Sequence, residues 1–359
     1  MKKYIRPEIL AMGGYVPGEQ PKPGEAVKLN TNESPYPASE FVYEAIRQVA
    51  GEGLSRYPDP LCRTVRSAVA KKFNVPPESV LCGNGSDDLL TILTRTFVGA
   101  GETLRLPFPS YILYKSLAEI QGAHSEEIRF NADWSLPPSF SFSPAFGGTG
   151  GTDAHPLRLA FLPNPNSPSG TVIPKKRILE IAEELPCPLV VDEAYADFAE
   201  EHCMDLVQQC EKIIVCRTMS KSYSLAGLRF GFLVASPKFV EQMIKVKDSY
   251  NCDTLSIAAA AAALEDDDWL QNNRRKIIAT RRQLTERMRG LGFTVPDSHS
   301  NFTWNAHSKI PVKPVYEYLK RNGVLVRYMN YAGWGDGLRI SVGTDEQTSR
   351  CVDLIAEFI

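Results

Sequence analysis

The segment Leu189-Val190-Val191-Asp192-Glu193-Ala194-Tyr195 reads as a short buried strand that ends in a carboxylate. An apolar run of this length with turn signals on both sides suits a central strand of a parallel sheet. Outward from it, strand-like runs alternate with amphipathic helical stretches from about Ser79 to Ser236, the pattern of a doubly wound α/β domain. In open α/β sheets ligands sit at the carboxyl ends of such strands, which places Asp192 to face one. The competing reading of Asp192 is a helix cap or a structural ion pair.

The next chemistry-bearing stretch is Arg217-Thr218-Met219-Ser220-Lys221-Ser222-Tyr223-Ser224-Leu225-Ala226-Gly227-Leu228-Arg229. A lysine whose pKa is lowered by its surroundings becomes a nucleophile and forms a Schiff base with a carbonyl. Thr218, Ser220, Ser222 and Arg229 could bind a phosphate on the same molecule, the arginine through a bidentate charge-assisted contact. Pyridoxal 5'-phosphate is the common biological aldehyde of this description. Asp192 could then pair with its pyridine nitrogen and keep the ring an electron sink, and Tyr195 could hydrogen-bond its phenolic oxygen. Taken alone, Lys221 reads first as an exposed lysine in a serine-rich loop. A third element, Leu162-Pro163-Asn164-Pro165-Asn166-Ser167-Pro168-Ser169-Gly170, follows the apolar run Leu157 to Phe161. Its prolines and glycine specify a fixed turn, and its asparagines offer amides to a ligand at the strand end.

Together these motifs resemble the fold-type I pyridoxal-phosphate aminotransferases of class I/II, and within them the histidinol-phosphate aminotransferase group. The resemblance runs from Leu29-Asn30-Thr31-Asn32-Glu33-Ser34-Pro35-Tyr36 to Leu338-Arg339-Ile340-Ser341-Val342-Gly343-Thr344. Between these ends lie Arg56-Tyr57-Pro58-Asp59-Pro60, Gly83-Asn84-Gly85-Ser86-Asp87-Asp88 and Pro109-Ser110-Tyr111, in the family's order. The fold this implies is α/β: an N-terminal arm (1–35) joining the small domain, a large mixed-sheet domain that holds the cofactor (36–265), and a smaller α+β domain (266–359).

The roles implied by the resemblance meet a physical check at each position. Gly83 to Asp88 lies between the strand-like Ser79 to Cys82 and the helical pattern Leu89 to Phe97. The amides of a helix N-terminus there suit a phosphate, so Gly85, Ser86 and Asp87 join Thr218, Ser220 and Arg229 as its site. The three-glycine spacing of a dinucleotide fingerprint is absent. Tyr111 would lie over the pyridine ring, the alternative being core packing. Tyr57 would reach the cofactor phosphate of a partner subunit, implying a homodimer with shared sites; otherwise it is a turn tyrosine. The family usually has asparagine where this chain has Ser167, and glutamate where it has Asp88. The first departure leaves open whether Asn166 or the Ser167 hydroxyl meets the ring oxygen.

For the substrate, Arg339 is a cation in a strand pattern and must be paired there, a substrate anion being a natural partner. Arg327 would be a second anion site or a structural ion pair. With Tyr15, Tyr57 and Asn32 these residues could serve the phosphate of histidinol phosphate (or of imidazole acetol phosphate in the reverse direction) and the carboxylates of 2-oxoglutarate or glutamate. An aromatic or broad-specificity aminotransferase, a threonine-phosphate decarboxylase and a non-catalytic pyridoxal-phosphate-binding regulator share much of this pattern.

Composition sets limits. The 359 residues, 43% of them hydrophobic, can bury a large core. A net charge of -2 provides no broad basic field for nucleic acid. The eight cysteines form no Cys-x-x-Cys pair and no zinc pattern, and no metal is expected. No stretch reads as a signal peptide or approaches the ~20 apolar residues of a membrane span, so a cytoplasmic enzyme of histidine biosynthesis is expected. Past Ser256 the pattern turns to a long helical stretch broken near Asp266–Asp268, whose basic residues from Arg274 to Arg289 read as a solvated face. Beyond it come Phe302–Asn305, the helix Val312–Arg321, Leu325–Arg327, Leu338–Val342 and a last helix from Asp345. The segment Phe140 to His155, rich in Ser, Pro and Gly, reads as a surface excursion.

Overall fold

The structure is a computed structural model that describes residues 4–14, 18–22, 24–142, 151–152 and 155–359. In chain order its strands are β1 (Val27–Lys28), β2 (Val80–Gly83), β3 (Thr103–Phe108), β4 (His124–Arg129), β5 (Gly151–Thr152), β6 (His155–Pro163) and β7 (Leu189–Asp192). They continue with β8 (Ile213–Thr218), β9 (Gly231–Val234), β10 (Phe302–Asn305), β11 (Val324–Leu325), β12 (Arg327–Tyr331) and β13 (Gly335–Ser341). The large sheet has the order β2-β9-β8-β7-β6-β3-β4, with β5 added against β6. Its strands β8, β7, β6, β3 and β4 are mutually parallel, and β9 runs antiparallel to both of its neighbours, β8 and β2. Strand β2 therefore points the same way as β8, and Gly83, Thr218, Asp192, Pro163 and Phe108 all end their strands along one edge of the sheet.

Period-2 alternation sends successive residues of the central strands to opposite faces. Leu189, Val191, Ile213 and Val215 join one core, with the helices Arg63–Phe73, Lys175–Glu184 and Thr254–Glu265. Val190, Ile214 and Cys216 join the other, with the helices Ser86–Phe97, Leu113–Gln121 and Pro237–Val246. Apolar residues on both faces explain why these strands read as continuous hydrophobic runs. A third core packs Leu338 and Ile340 of the small sheet, ordered β10-β13-β12, against the helices Asp267–Gly290, Val312–Arg321 and Asp345–Phe358. The last of these starts at a capping box, in which the Thr344 side chain and Gln347 satisfy each other's backbone N–H groups. Near the N-terminus, β1 pairs in parallel with β11. No helix among the described residues is long and apolar enough to cross a membrane.

A buried ion network ties together the loops that carry the site. Arg217 donates from Nε and Nη2 to Glu193 at 2.9 and 2.8 Å and from Nη1 to Asp197 at 2.6 Å. Asp197 in turn accepts from the Ser222 hydroxyl, and Glu193 accepts from the Cys203 backbone N–H. Glu193 and Ser222 are the chain neighbours of Asp192 and Lys221. A charge this deep needs its partners, and here the partners fix two loop conformations at once.

Three expectations are corrected. The basic residues from Arg274 to Arg289 form a solvated face only in part: Arg275, Lys276, Arg282, Arg287 and Arg289 are exposed, but Arg274 donates to the carbonyls of Asp197 and Ala199, and Arg281 to that of Ser300 at 2.7 Å. Burial holds the Arg281 guanidinium down to about 10. These long side chains satisfy loop carbonyls that would otherwise lose water. The apolar run Leu325–Arg327 is not one strand, because Val324–Leu325 pairs with β1 while Arg327 opens β12 of the other sheet. The excursion from Phe140 begins in the core: Phe140 is fully buried and its carbonyl accepts from Arg105 at 2.7 Å. Residues 143–150 and 153–154 of that segment lie outside the described residues.

Candidate active site

At the carboxyl edge of the large sheet lies a cavity of about 160 Å³. Ser86 and Asp87 open the helix after β2, Asp192 ends β7, Thr218 ends β8, and Lys221 follows in the loop; all of them line the cavity. Tyr111, Tyr195, Arg229, Asn32, Arg327 and Arg339 line it as well.

Lys221 Nζ donates to the Thr31 carbonyl at 3.0 Å and stands 5.9 Å from the Tyr195 ring centre. Burial, reinforced by the Arg339 charge, holds its pKa down at about 8, against 10.5 for a free lysine. Asp192 is buried, and burial raises its carboxyl to about 6, opposed by hydrogen bonds from the Tyr114 hydroxyl and the Ala194 N–H. Those bonds measure 2.7 Å to Oδ2 and 3.1 Å to Oδ1. The carboxylate form still predominates at pH 7.

Across the cavity, Arg229 donates to Asp87 at 3.1 Å and to the Ser220 hydroxyl at 3.4 Å, and Ser220 and Thr218 share a hydrogen bond of 3.0 Å. Gly85 caps the helix Ser86–Phe97 with φ 82°, and a side chain there would drive its Cβ to 2.8 Å from Arg229 Nη2. A Cβ at Gly231 would meet the Ser86 backbone nitrogen at 2.8 Å. Two glycines thus let backbone N–H groups, two hydroxyls and a guanidinium converge, which is the donor set a phosphate requires. With an amine of lowered pKa and a buried carboxylate in the same cavity, the residues fit pyridoxal phosphate. Tyr111 stands beside this cradle, its hydroxyl 3.2 Å from Asp87 and its ring edge-on to Tyr114.

Other expected residues take different places. Asn166 does not line the cavity; its amide nitrogen donates to the Pro109 carbonyl and the Ser169 hydroxyl, and the Ser167 side faces the cavity instead. Asn32 lines the cavity, but its amide is already engaged, donating to the Tyr195 hydroxyl at 2.9 Å and accepting from Ser341 at 3.0 Å. It thereby orients Tyr195. Tyr57 is 81% exposed, outside this cavity, and stacked on Tyr250 at 4.4 Å. Tyr15 lies outside the described residues. The sequence reading missed Tyr114, the Thr31 carbonyl, and Asn30, whose carbonyl accepts from Arg339 at 3.1 Å. A second tyrosine three residues after Tyr111 in a helical pattern was the available signal for Tyr114.

A family model for aminotransferase class I and II matches residues 25–355. The chain belongs to this family. A histidinol-phosphate aminotransferase of Rhodopirellula baltica is 54% identical over 98% of this chain and 94% of its own length. One of Trichormus variabilis is 41% identical over the whole of both chains. Among solved structures, the fold is shared with a histidinol-phosphate aminotransferase of Sinorhizobium meliloti in complex with pyridoxal-5'-phosphate, with a TM-score of 0.87 at 24% identity over 99% of this chain and 98% of that one. It is also shared with an aspartate aminotransferase of Thermus thermophilus, with a TM-score of 0.81 at 19% identity over 99% of each chain. The chain is therefore an aminotransferase, a fold-type I enzyme whose cofactor is pyridoxal phosphate.

The lowered Lys221 pKa has a consequence for cofactor capture by the cofactor-free aminotransferase. Only the neutral amine attacks an aldehyde, and at pH 7 roughly one Lys221 amine in ten is neutral, against roughly one in several thousand for an exposed lysine. The capture rate, followed by stopped-flow absorbance after mixing with pyridoxal phosphate, should rise with pH up to about 8 and level off above it. A rate still climbing at pH 10 would mean that burial does not hold the amine down.

Proposed function

We propose that this aminotransferase takes the amino group of L-histidinol phosphate and delivers it to 2-oxoglutarate. The observation that carries the substrate assignment is the relative of that name, 54% identical over 98% of the chain. The cavity supports it. Arg327 and Arg339 are directly opposite each other on β12 and β13, and like charges in such a pair repel unless an anion lies between or near them. Arg339 donates to the Ser167 hydroxyl at 3.0 Å, and its buried Nε has no hydrogen-bond partner among the described residues. A phosphate or a carboxylate satisfies such a pair, and 2-oxoglutarate and histidinol phosphate bring one or the other.

Bound pyridoxal phosphate supplies an aldehyde carbon and an electron-withdrawing ring. The chain supplies the rest. Lys221 would hold the cofactor through its amine, and the same amine is the group placed to move the substrate's proton. Asp192, fixed by Tyr114 and Ala194, keeps the ring nitrogen protonated. Tyr195, fixed by Asn32, donates toward the phenolic oxygen. Ser86, Asp87, Thr218, Ser220 and Arg229 would hold the phosphate, with Gly85 leaving the space, and Tyr111 would lie against the ring. The Ser167 hydroxyl, which lines the cavity where Asn166 does not, would take the place of the Asn166 amide at the ring oxygen. Arg327 and Arg339 seat the two substrates in turn, so the kinetics are ping-pong.

The exposed Tyr57–Tyr250 stack supports a homodimer in which each Tyr57 completes the partner's site. Mixing Lys221→Ala chains with Tyr57→Ala chains should restore activity through one competent site per heterodimer, and no recovery after proven subunit exchange would leave Tyr57 a turn residue. The chain divides, in this reading, into an arm (1–35), a large domain (36–265) and a small domain (266–359), the last boundary falling between the helices Thr254–Glu265 and Asp267–Gly290. The eight free cysteines suit the reducing cytoplasm.

The test is a panel of amino donors crossed against 2-oxoglutarate. Histidinol phosphate should exceed histidinol and phenylalanine in kcat/KM by a wide margin, because a half-buried arginine pair left without its anion is costly. Higher efficiency with phenylalanine or tyrosine would make the chain an aromatic aminotransferase with the same cofactor machinery.

A further inference from the structure

Three of the chain's four tryptophans meet in one cluster, where the small sheet touches the large one. The ladders explain how. Arg327 is paired with Arg339, and Arg339 with Trp304, so these three side chains share one face of the small sheet. Met329 and Tyr331 follow Arg327 on that face, two and four residues along. Gly337, opposite Met329, leaves room for the Trp304 ring; a Cβ there would lie 2.4 Å from it. One layer of side chains thus runs from the arginine pair in the cavity to the turn that joins β12 and β13.

That turn is fastened to the large sheet. The Tyr331 ring meets Phe108, the last residue of β3, edge-on at 5.8 Å. Trp334 packs at 4.6 Å from Trp134, which stands 6.4 Å from Trp304 and 6.0 Å from Phe130. Arg129, at the end of β4, donates to the carbonyls of Ala332 and Gly333 at 3.2 and 3.3 Å. Gly333 has φ 68°, and a Cβ on it would come to 2.9 Å from the Arg129 guanidinium. Phe108 is followed directly by Pro109, Ser110 and Tyr111, so the docking point adjoins the cofactor cradle.

We propose that Trp334 and Trp134 are positioning residues for the substrate: their contact clasps the β12–β13 hairpin to the ends of β3 and β4 and so holds the Arg327–Arg339 pair at a fixed distance from the cofactor. Two opposed cations repel, and the edge strand β12 can splay from β13 to separate them; the clasp prevents that. The inference rests on the reading that these arginines receive the substrate's anion.

The experiment uses the cofactor-loaded enzyme with 2-oxoglutarate as the anionic probe. Trp334→Ala should raise the KM for 2-oxoglutarate by roughly tenfold to a hundredfold, with kcat changed by less than about threefold, since the displaced groups bind rather than react. Trp334→Phe should restore most of the KM, because a ring can still stack on Trp134. Cofactor affinity should be unchanged in both. Arg129→Ala removes the two bonds to the turn and the guanidinium's contact with the Phe108 ring at 5.4 Å but leaves the tryptophan contact in place, and should move the KM in the same direction by a smaller factor, which keeps the test available if Trp334→Ala does not fold. A lower melting temperature with an unchanged KM in a folded variant would overturn the proposal. Failure of the substrate assignment would appear separately, in the wild-type donor panel.

Discussion

Lys221→Ala is expected to lower turnover by about 10⁴-fold or more while the chain still folds and still takes up cofactor. The variant loses both the amine that captures the aldehyde and the base that moves the substrate proton, and general base catalysis alone contributes about 10²–10⁴. The phosphate cradle of Ser86, Ser220 and Arg229 does not depend on the lysine, so cofactor should remain bound without a covalent link. Borohydride reduction of the wild type followed by peptide mapping should place the pyridoxyl group on Lys221. A label on another lysine, or a Lys221→Ala enzyme within tenfold of wild type, would move the chemistry elsewhere.

Asp192→Asn should cut kcat by about 10²–10³, the scale of removing one preorganised charged group from a reacting centre. In the resting enzyme the loss is an ion-assisted hydrogen bond of about 1.5–3 kcal/mol, and it grows as negative charge spreads into the ring. The fold should survive, because the Asn side-chain oxygen can still accept from Tyr114 or Ala194, the two groups that now hold the carboxylate. Steady-state kinetics with quantified bound cofactor checks this. Near-normal turnover in the loaded variant would require another acid for the ring nitrogen.

Much of this site was legible in the sequence because its chemistry sits in short segments at strand ends. Asp192, Thr218, Ser86 and Lys221 each follow an apolar run whose exit point the parallel sheet fixes, so their convergence follows from topology. What escaped depends on features that leave no local trace. The Thr31 carbonyl that holds Lys221 is a backbone group, and any residue type would supply it. Tyr114 sits on the buried face of its helix and reads as core until its hydroxyl is found on Asp192. Whether Asn166 or Ser167 faces the ligand is a one-residue matter of how the proline-rich turn bends. Helical spacing identified the basic stretch past Arg274, but spacing alone does not reveal that Arg274 and Arg281 face loop carbonyls instead of water. At Val326 the chain passes from one sheet to another with no composition change to mark it.

A single-turnover half-reaction tests amino transfer from histidinol phosphate at Lys221 without the second substrate. Cofactor-loaded enzyme mixed with histidinol phosphate alone should produce one equivalent of imidazole acetol phosphate per site, with the aldehyde absorbance of the cofactor converting to that of its amine; 2-oxoglutarate added afterwards should reverse the absorbance and yield glutamate. Absence of keto product with unchanged absorbance would contradict the account.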